Sequence, residues 1–235
     1  MLSICICVYN NWNLTRTCLS DLSKLEDTEV IIVDNGSSDQ TQENLSKKSC
    51  VLPENFKYIR VEENLGFVRG SNLAYQNASG QYILFLNNDV KVKERFSDWT
   101  QLLINSIDND HESIVGPTGG LLDSNFNFIR ETSNYVESKF FYMSGWCLAG
   151  KKETFEKLRE VLADGKMTNG PFSEFVFSYF EDGDLSWRAK KLGIDLRVVG
   201  VPVFHFGRMT GKKLNLPGMY SESRRRFIEK WAGKI

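Results

Sequence analysis

Two apolar runs in this chain each lead into an aspartate, and that arrangement narrows the folds open to it. Val30-Ile31-Ile32-Val33 runs into Asp34, and Tyr82-Ile83-Leu84-Phe85-Leu86 runs through Asn87-Asn88 into Asp89. A short continuous apolar run, without polar alternation, suits an interior parallel strand covered on both faces. Helical patterns lie between such runs: Leu14, Cys18, Leu22 and Leu25 recur at helical spacing behind Asn13, a candidate cap. The sequence predicts strands over Leu2–Val8, Phe56–Val61 and Gln81–Leu86. It predicts helices over Asn13–Leu25, from Ser38-Asp39 onward, over Gly66–Ala78 and over Glu94–Ile107. This is a βα series of the open-sheet kind, and such sheets bind ligands beyond the carboxyl ends of their strands. Asp34 and Asp89 occupy such ends, so they can meet near one ligand although 55 positions separate them.

The second half departs from the series. A short strand at Ile114-Val115-Gly116 precedes Pro117 and Gly119-Gly120, and Leu121–Met143 reads as hairpins or loops. Gly150 marks entry to a helix over Lys152–Leu162. Asp164–Pro171, from its Gly and Pro content, reads as a loop able to order over substrates. A helix is expected from Asp184, and strand material over Ile194–Phe206, broken by Gly200 and Pro202. No internal repeat is visible. The 235 residues fit a single domain, with 1–116 and 117–235 as its halves.

Composition removes some partners. With 29 basic and 30 acidic residues the net charge is −1, which excludes a global basic field for nucleic acid. The five cysteines (Cys5, Cys7, Cys18, Cys50 and Cys147) are odd in number and form no CxxC unit. They read as structural free thiols rather than metal ligands or a disulfide scaffold. No basic leader with an apolar run follows Met1, and no segment reaches the roughly 18 apolar residues of a spanning helix. A cytoplasmic protein is expected, with peripheral association at the inner face of the membrane left open. The tail, Arg224-Arg225-Arg226 before Phe227, Ile228 and Trp231, reads as an amphipathic helix docked on the body, or one that also meets anionic lipid or phosphate. A homodimer is possible, without a heptad to establish it.

The chemistry-bearing residues fall into three groups: the strand-end Asp89, the cluster Glu181-Asp182-Gly183-Asp184, and His205. A carboxylate, a separate acid cluster and an imidazole form a metal-and-base set suited to a phosphorylated substrate. A hard divalent ion takes oxygen ligands, and a diphosphate supplies several of them, so one protein carboxylate can suffice. Asp89 is the candidate ligand, against a simple turn residue; Asn87 and Asn88 can add an oxygen or orient a ribose. Asp34 can accept from a ribose or base, or cap locally. Asp39 can do the same, or cap the following helix. The turn Asn64-Leu65-Gly66-Phe67 opens a helix whose free N–H groups can face phosphate, and Arg69 can contact the ligand or cover the helix. This is neither a GxGxxG fingerprint nor a Walker loop. His205 between Phe204 and Phe206 can also be a satisfied core histidine, and His111, among polar neighbours, reads as a solvated loop residue.

Taken in order, these segments resemble the inverting family 2 glycosyltransferases, within them the rhamnosyltransferase-type enzymes of bacterial surface polysaccharides. Val8-Tyr9-Asn10 resembles the opening strand-end motif, and Val33-Asp34-Asn35-Gly36-Ser37-Ser38-Asp39 the nucleotide-binding motif. Asn64-Leu65-Gly66-Phe67 with Asn72 resembles the third element, and Leu86-Asn87-Asn88-Asp89 the acidic metal motif. That motif often carries an acid where this chain has Asn87, leaving Asp89 as its sure carboxylate. Ser144-Gly145-Trp146-Cys147-Leu148-Ala149 resembles the segment lining the sugar and acceptor site. Glu181 to Arg188 resembles the segment supplying the general base, and Val203-Phe204-His205-Phe206-Gly207 the late histidine segment.

The resemblance implies an α/β GT-A fold, a Rossmann-like mixed central sheet flanked by helices. Its first half would bind a UDP- or dTDP-sugar, dTDP-rhamnose being the family-weighted choice. Its second half would place a glycan or lipid-linked glycan acceptor. It implies Mg²⁺ or Mn²⁺ at Asp89, with His205 on the metal or the diphosphate. Tyr9, Asn10, Asp34, Asp39, Gly66, Arg69, Asn72, Asn87 and Asn88 are then the candidate nucleotide-site residues. Asp182 is the expected general base, with Glu181 as reserve or acceptor-orienting residue. Asp184 reads as a helix cap or an acceptor contact. Arg188 reads as a partner of an acid or of phosphate. Trp146 offers a face to a sugar, with Gly145 letting it approach, or packs in the core; Trp187 reads as core. Two other functions compete. A nucleotidyltransferase would ordinarily need a basic segment near the first strand, where Tyr9-Asn10-Asn11-Trp12-Asn13 has no lysine or arginine. A non-catalytic carbohydrate-binding or assembly protein would have no use for Asp34, Asp89, Asp182 and His205 together.

Overall fold

In the computed structural model, β1 (Leu2–Val8), β2 (Thr28–Asn35), β3 (Phe56–Val61) and β4 (Tyr82–Leu86) run parallel. The structure describes residues 1–47, 52–93, 98–108, 111–162, 164–207 and 216–235. Cys50 and the first residues of the helix expected from Glu94 lie outside them. The β2 side chains are all buried, as the unbroken run of β-branched residues requires. Each fully enclosed isoleucine there, such as Ile31 or Ile32, contributes about 1.5–3 kcal/mol of transfer free energy. α1 (Trp12–Leu22), α2 (Thr41–Ser46) and α3 (Gly66–Gln76) make the crossovers.

The second half completes the sheet. β5 (Val90–Val92), α4 (Trp99–Ile107) and β6 (Ser113–Gly116) lead to three hairpin strands, β7 (Gly119–Leu122), β8 (Phe128–Thr132) and β9 (Phe141–Met143). Then come β10 (Cys147–Lys151), α5 (Lys152–Lys157), α6 (Glu181–Lys191), β11 (Asp195–Val198), β12 (Val203–His205) and α7 (Leu216–Trp231). The main sheet has the order β11-β6-β10-β4-β1-β2-β3; β8-β7-β9 and β12-β5 form smaller sheets. β10 is antiparallel to both neighbours, so the sheet is mixed. One face packs Ile4, Ile6 and Val8 under α1 and α4; the other packs Ile31, Val33 and Phe85 under α3, α5 and α6. An aromatic cluster of Phe126, Phe180, Trp187, Phe227 and Trp231 fastens α7 to α6. Among the described residues no helix is long and apolar enough to cross a membrane.

Four expectations need correction. α1 begins at Trp12 rather than behind Asn13, because Asn11 turns left-handed (φ 61°) and Asp39, from the next loop, accepts the Trp12 N–H at 3.1 Å. The helix expected over Lys152–Leu162 stops at Lys157, behind Cys147–Lys151, a central strand that continues from the cleft-lining Ser144, Gly145 and Trp146. α6 begins at Glu181, not Asp184. Asp164–Pro171 does not cover the cleft described below. Pro171 O accepts from Arg188, Thr168 is buried against Glu160 and Gly170, and the adjoining Phe172 is clamped by Asn72. Cys5, Cys7, Cys18 and Cys147 are free thiols, and burial pushes those of Cys7 and Cys18 up to about 12.

Candidate active site

A cleft of about 420 Å³ opens where β1 and β4 end, between the sheet and the hairpin sheet. One wall holds Tyr9, Asn35, Asn64, Asn87, Asn88 and Asp89; the far wall holds Glu131, Tyr142, Gly145, Trp146, Glu181 and Asp182, with His205 between. No lysine or arginine stands among the described lining residues, whereas four carboxylates do. Among these described side chains an anionic ligand meets no cation.

The ladder places the acidic strand end. Asn87 N–H donates to Trp146 O at 2.8 Å, extending the β4–β10 pairing by a step, and Asn88 donates to Thr15 at 2.8 Å. Beyond this turn β5 pairs with β12, which sets His205 opposite Val90, and Phe206 N–H donates to Asp89 O at 3.0 Å. The Asp89 carboxylate is buried, and its Oδ1 lies 3.0 Å from His205 Nε2. Asn87 Nδ2 lies 3.3 Å from the same Nε2. With Nε2 deprotonated, His205 and Asp89 present two electron-pair donors 3.0 Å apart. A divalent cation satisfies both. Among the described residues no three acidic, histidine or cysteine side chains gather around a metal. Two protein ligands fit an ion whose other ligands come from a diphosphate.

The opposite acids sit on strained backbone. Tyr179 and Phe180 are consecutive non-glycine residues with φ of 70° and 67°, a conformation that costs about 1–3 kcal/mol per residue. The kink starts α6 with Glu181 and Asp182 facing the cleft. Asp182 Oδ2 accepts the Gly145 N–H at 3.1 Å, and its Oδ1 accepts the Gly183 N–H at 2.8 Å. Burial raises its pKa, the two N–H groups oppose this, and the Glu131 charge adds to the rise. Glu181 is raised by burial and then by the Asp182 charge, and its Oε2 is buried with no hydrogen-bond partner among the described residues. The neighbouring N–H groups favour ionised Asp182, so the pair's retained proton belongs on Glu181. A Cβ at position 145 would come 3.1 Å from that of Asp182, so glycine there makes room for the Asp182 side chain.

Several candidates from the sequence lie away from the cleft, held by protein partners. Asp34 is fully buried; its Oδ2 accepts from Arg60 at 2.7 Å and Tyr58 at 2.9 Å, and its Oδ1 from the Ser37 N–H at 2.9 Å. Asn10 takes the Ser38 and Asp39 N–H groups, and Asp39 caps Trp12 and Thr41. These residues shape the turn beside the cleft. Gly66 (φ 86°) is pressed on Phe177, where a Cβ would meet the backbone at 2.6 Å. Arg69 pairs with Glu174 at the surface, and Asn72 is fully buried on Phe172. Asp184 is neither an acceptor contact nor a cap: it binds Arg188 at 2.8 Å, Trp231 at 2.9 Å and Lys230 at 2.7 Å. Arg188 spends its remaining donors on Leu158 and Pro171 carbonyls. Trp187 is buried in the aromatic cluster, and His111 is an exposed loop residue. Arg224, Arg225 and Arg226 bond to Asn125 O, Glu222, Glu229 and Phe175 O, which leaves little of an anion patch.

Asn35, Asn64, Glu131 and Tyr142 were not singled out from the sequence as site residues. Asn35 donates to Asn64 and Gly66 O and accepts from Leu65, building the turn that faces the cleft. Tyr142 is held protonated by burial and by the nearby Asp182 and Glu131 charges. Glu131 lies in an otherwise ordinary exposed strand, with no motif to mark it.

Comparison with known proteins identifies the fold and the family. EpsH of Bacillus subtilis (strain 168), whose name places it among glycosyltransferases, is 25% identical over 221 residues, 87% of this chain and 60% of its own. The chain thus spans under two thirds of that relative's length. GalNAc-T7, solved with UDP, GalNAc and Mn²⁺, superposes with a TM-score of 0.73 at 17% identity, covering 98% of this chain and 48% of its own. The mannosyltransferase PcManGT of Pyrobaculum calidifontis, solved with GDP-Man and Mn²⁺, gives a TM-score of 0.61 at 17% identity, covering 84% and 54%. The architecture is the GT-A fold of these enzymes. Residues 3–173 match Glycosyl transferase family 2, and with most of its length inside that match the chain belongs to this family.

Proposed function

We propose that the chain is an inverting glycosyltransferase that moves a sugar from a nucleoside diphosphate to a hydroxyl of a glycan or lipid-linked glycan. The observation that carries this reading is one cleft with an Asp89–His205 pair on one wall and an Asp182–Glu181 pair on the other. UDP- and dTDP-sugars are the donors to test, dTDP-rhamnose included.

Asp182 receives the proton of the attacking hydroxyl. The hydroxyl oxygen bonds to the anomeric carbon as the bond to the diphosphate oxygen breaks on the opposite face, inverting that carbon. Asp182 suits the task because two backbone N–H groups fix its orientation while burial lifts its basicity above an ordinary aspartate. Glu181, keeping its proton, avoids a second buried negative charge beside it. Asp89 and His205 would hold Mg²⁺ or Mn²⁺. Such an ion supplies electrophilic stabilisation to the diphosphate that leaves, in a cleft whose described side chains offer no cationic alternative. The Mn²⁺ bound by GalNAc-T7 and PcManGT supports that choice.

A donor panel with Mg²⁺, Mn²⁺ or chelator, read by nucleoside diphosphate release and calorimetry, tests the proposal. Metal-dependent selection of one donor supports it. Pyrophosphate release from a nucleoside triphosphate would replace it with nucleotidyl transfer.

A further inference from the structure

We infer that Glu131 is a positioning residue for His205, acting through the Trp146 indole. The inference deepens the transferase reading, and only its functional consequence rests on that reading. Trp146 stacks on His205 with ring centroids 4.7 Å apart and planes 12° from parallel. The indole N–H is held at its other end: it donates to Glu131 Oε1 at 2.8 Å and to Thr118 Oγ1 at 3.0 Å, and Thr118 itself donates to Glu131 Oε1 at 2.7 Å. A single carboxylate oxygen thus fixes both donors, with the added strength of an ionised acceptor. The Trp146 backbone is fixed too, by the Asn87 N–H on its carbonyl.

The imidazole is therefore confined between a fixed indole and Asp89, which aims Nε2 at the Asp89 carboxylate. Its own strand gives it little: Phe204 and Phe206 on either side are exposed. Glu131 stands on the hairpin sheet, across the cleft from the diphosphate end, and shares the cleft with Asp182. The second half thereby sets the geometry at the first half's metal-binding end. One indole face is already covered by His205, so the sugar-platform role expected of Trp146 is left only its other face.

The chain has two histidines, so the imidazole proton spectrum of the metal-free protein reads the contact directly. A His111→Asn variant assigns the exposed one. In wild type the His205 ring protons should lie upfield, shifted by the stacked indole. Glu131→Ala should move them to the free-imidazole position, and Glu131→Gln, whose amide oxygen still accepts the indole N–H, should retain the shift. If Glu131→Ala does not fold, Glu131→Leu, which keeps the apolar stem, reads the same signal. An unchanged signal in a folded Glu131→Ala or Glu131→Leu protein, or equal loss in Glu131→Gln, overturns the inference. UDP with Mn²⁺ should bind several-fold more weakly to Glu131→Ala than to Glu131→Gln. A wild type that binds no nucleotide would undo the transferase reading, while the spectrum would still decide the role of Glu131.

Discussion

Asp182→Asn removes the proposed base while keeping its shape. The carboxylate now accepts two backbone N–H groups, Gly145 at 3.1 Å and Gly183 at 2.8 Å. An asparagine has a single acceptor oxygen, so one of these is lost and an amide NH₂ faces an N–H instead. That costs about 1–3 kcal/mol, set against relief from holding a buried charge, so the fold should survive. The rate should not: losing a positioned general base costs roughly 10²–10⁴-fold, or about 3–5 kcal/mol of transition-state stabilisation. The pH dependence adds a sign. The base works ionised, so kcat/KM in wild type should fall as pH drops through its pKa, and burial places that limb above the ordinary aspartate range. The assay is product formation against pH for both proteins, with donor affinity measured separately by calorimetry. Transfer within about tenfold of wild type by an Asp182→Asn protein that binds donor equally well would refute the assignment.

Glu181→Gln should raise the melting temperature at neutral and alkaline pH: a carboxyl whose folded pKa is raised costs stability as pH climbs above its unfolded value, and the amide removes that cost. Melting curves of the two proteins that coincide across pH 5–9 (a window of roughly this width follows from the raised direction) would count against the shared-proton reading. Glu29→Gln should act at the other end of the scale. Burial opposes the charge on Glu29, but hydrogen bonds from Ser3 and Ser79 and the Lys57 ion pair prevail, holding its pKa near about 2. Its contribution, about 3 kcal/mol at ~1.4 kcal/mol per pH unit, is present above pH ~4.5 and lost as pH falls towards ~2; denaturant midpoints at neutral and acid pH check it. Asp184→Ala should destabilise the fold by about 3–5 kcal/mol by leaving Arg188 and Lys230 without their shared buried partner. Urea unfolding measures that, and a stability unchanged from wild type would remove Asp184 as the tie between α6 and α7.

The first half of the fold was legible because its strands are short apolar or alternating runs set between helical patterns. Leu2–Val8 and Phe56–Val61 emerge with the boundaries expected, and the run from Gln81 starts one residue later. β10 was harder, since Cys147-Leu148-Ala149-Gly150 has neither β-branched residues nor alternation; neighbours on both sides make it a strand. In the site, Tyr9, Asn87, Asn88, Asp89, Trp146, Glu181, Asp182 and His205 share one cleft. Asp34, Asn72 and Asp184 are bonded to protein partners, and Arg188 pairs with an acid, one of the two readings its sequence allowed. Spacing locates a carboxylate at a strand end, but whether it stays free depends on a distant residue. Arg60 lies 26 positions from Asp34, and Trp231 lies 47 from Asp184. Glu131 was invisible for the complementary reason, because its importance comes from an indole 15 positions later in the chain.

Calorimetric titration of wild type and Asp89→Ala with UDP- and dTDP-sugars, in Mn²⁺ and in chelator, tests the central claim most directly. The account predicts that wild type selects one donor when metal is present, and that either chelation or the substitution abolishes this binding. A folded wild type that binds no donor, or binds one equally well in chelator and in the Asp89→Ala protein, would contradict it.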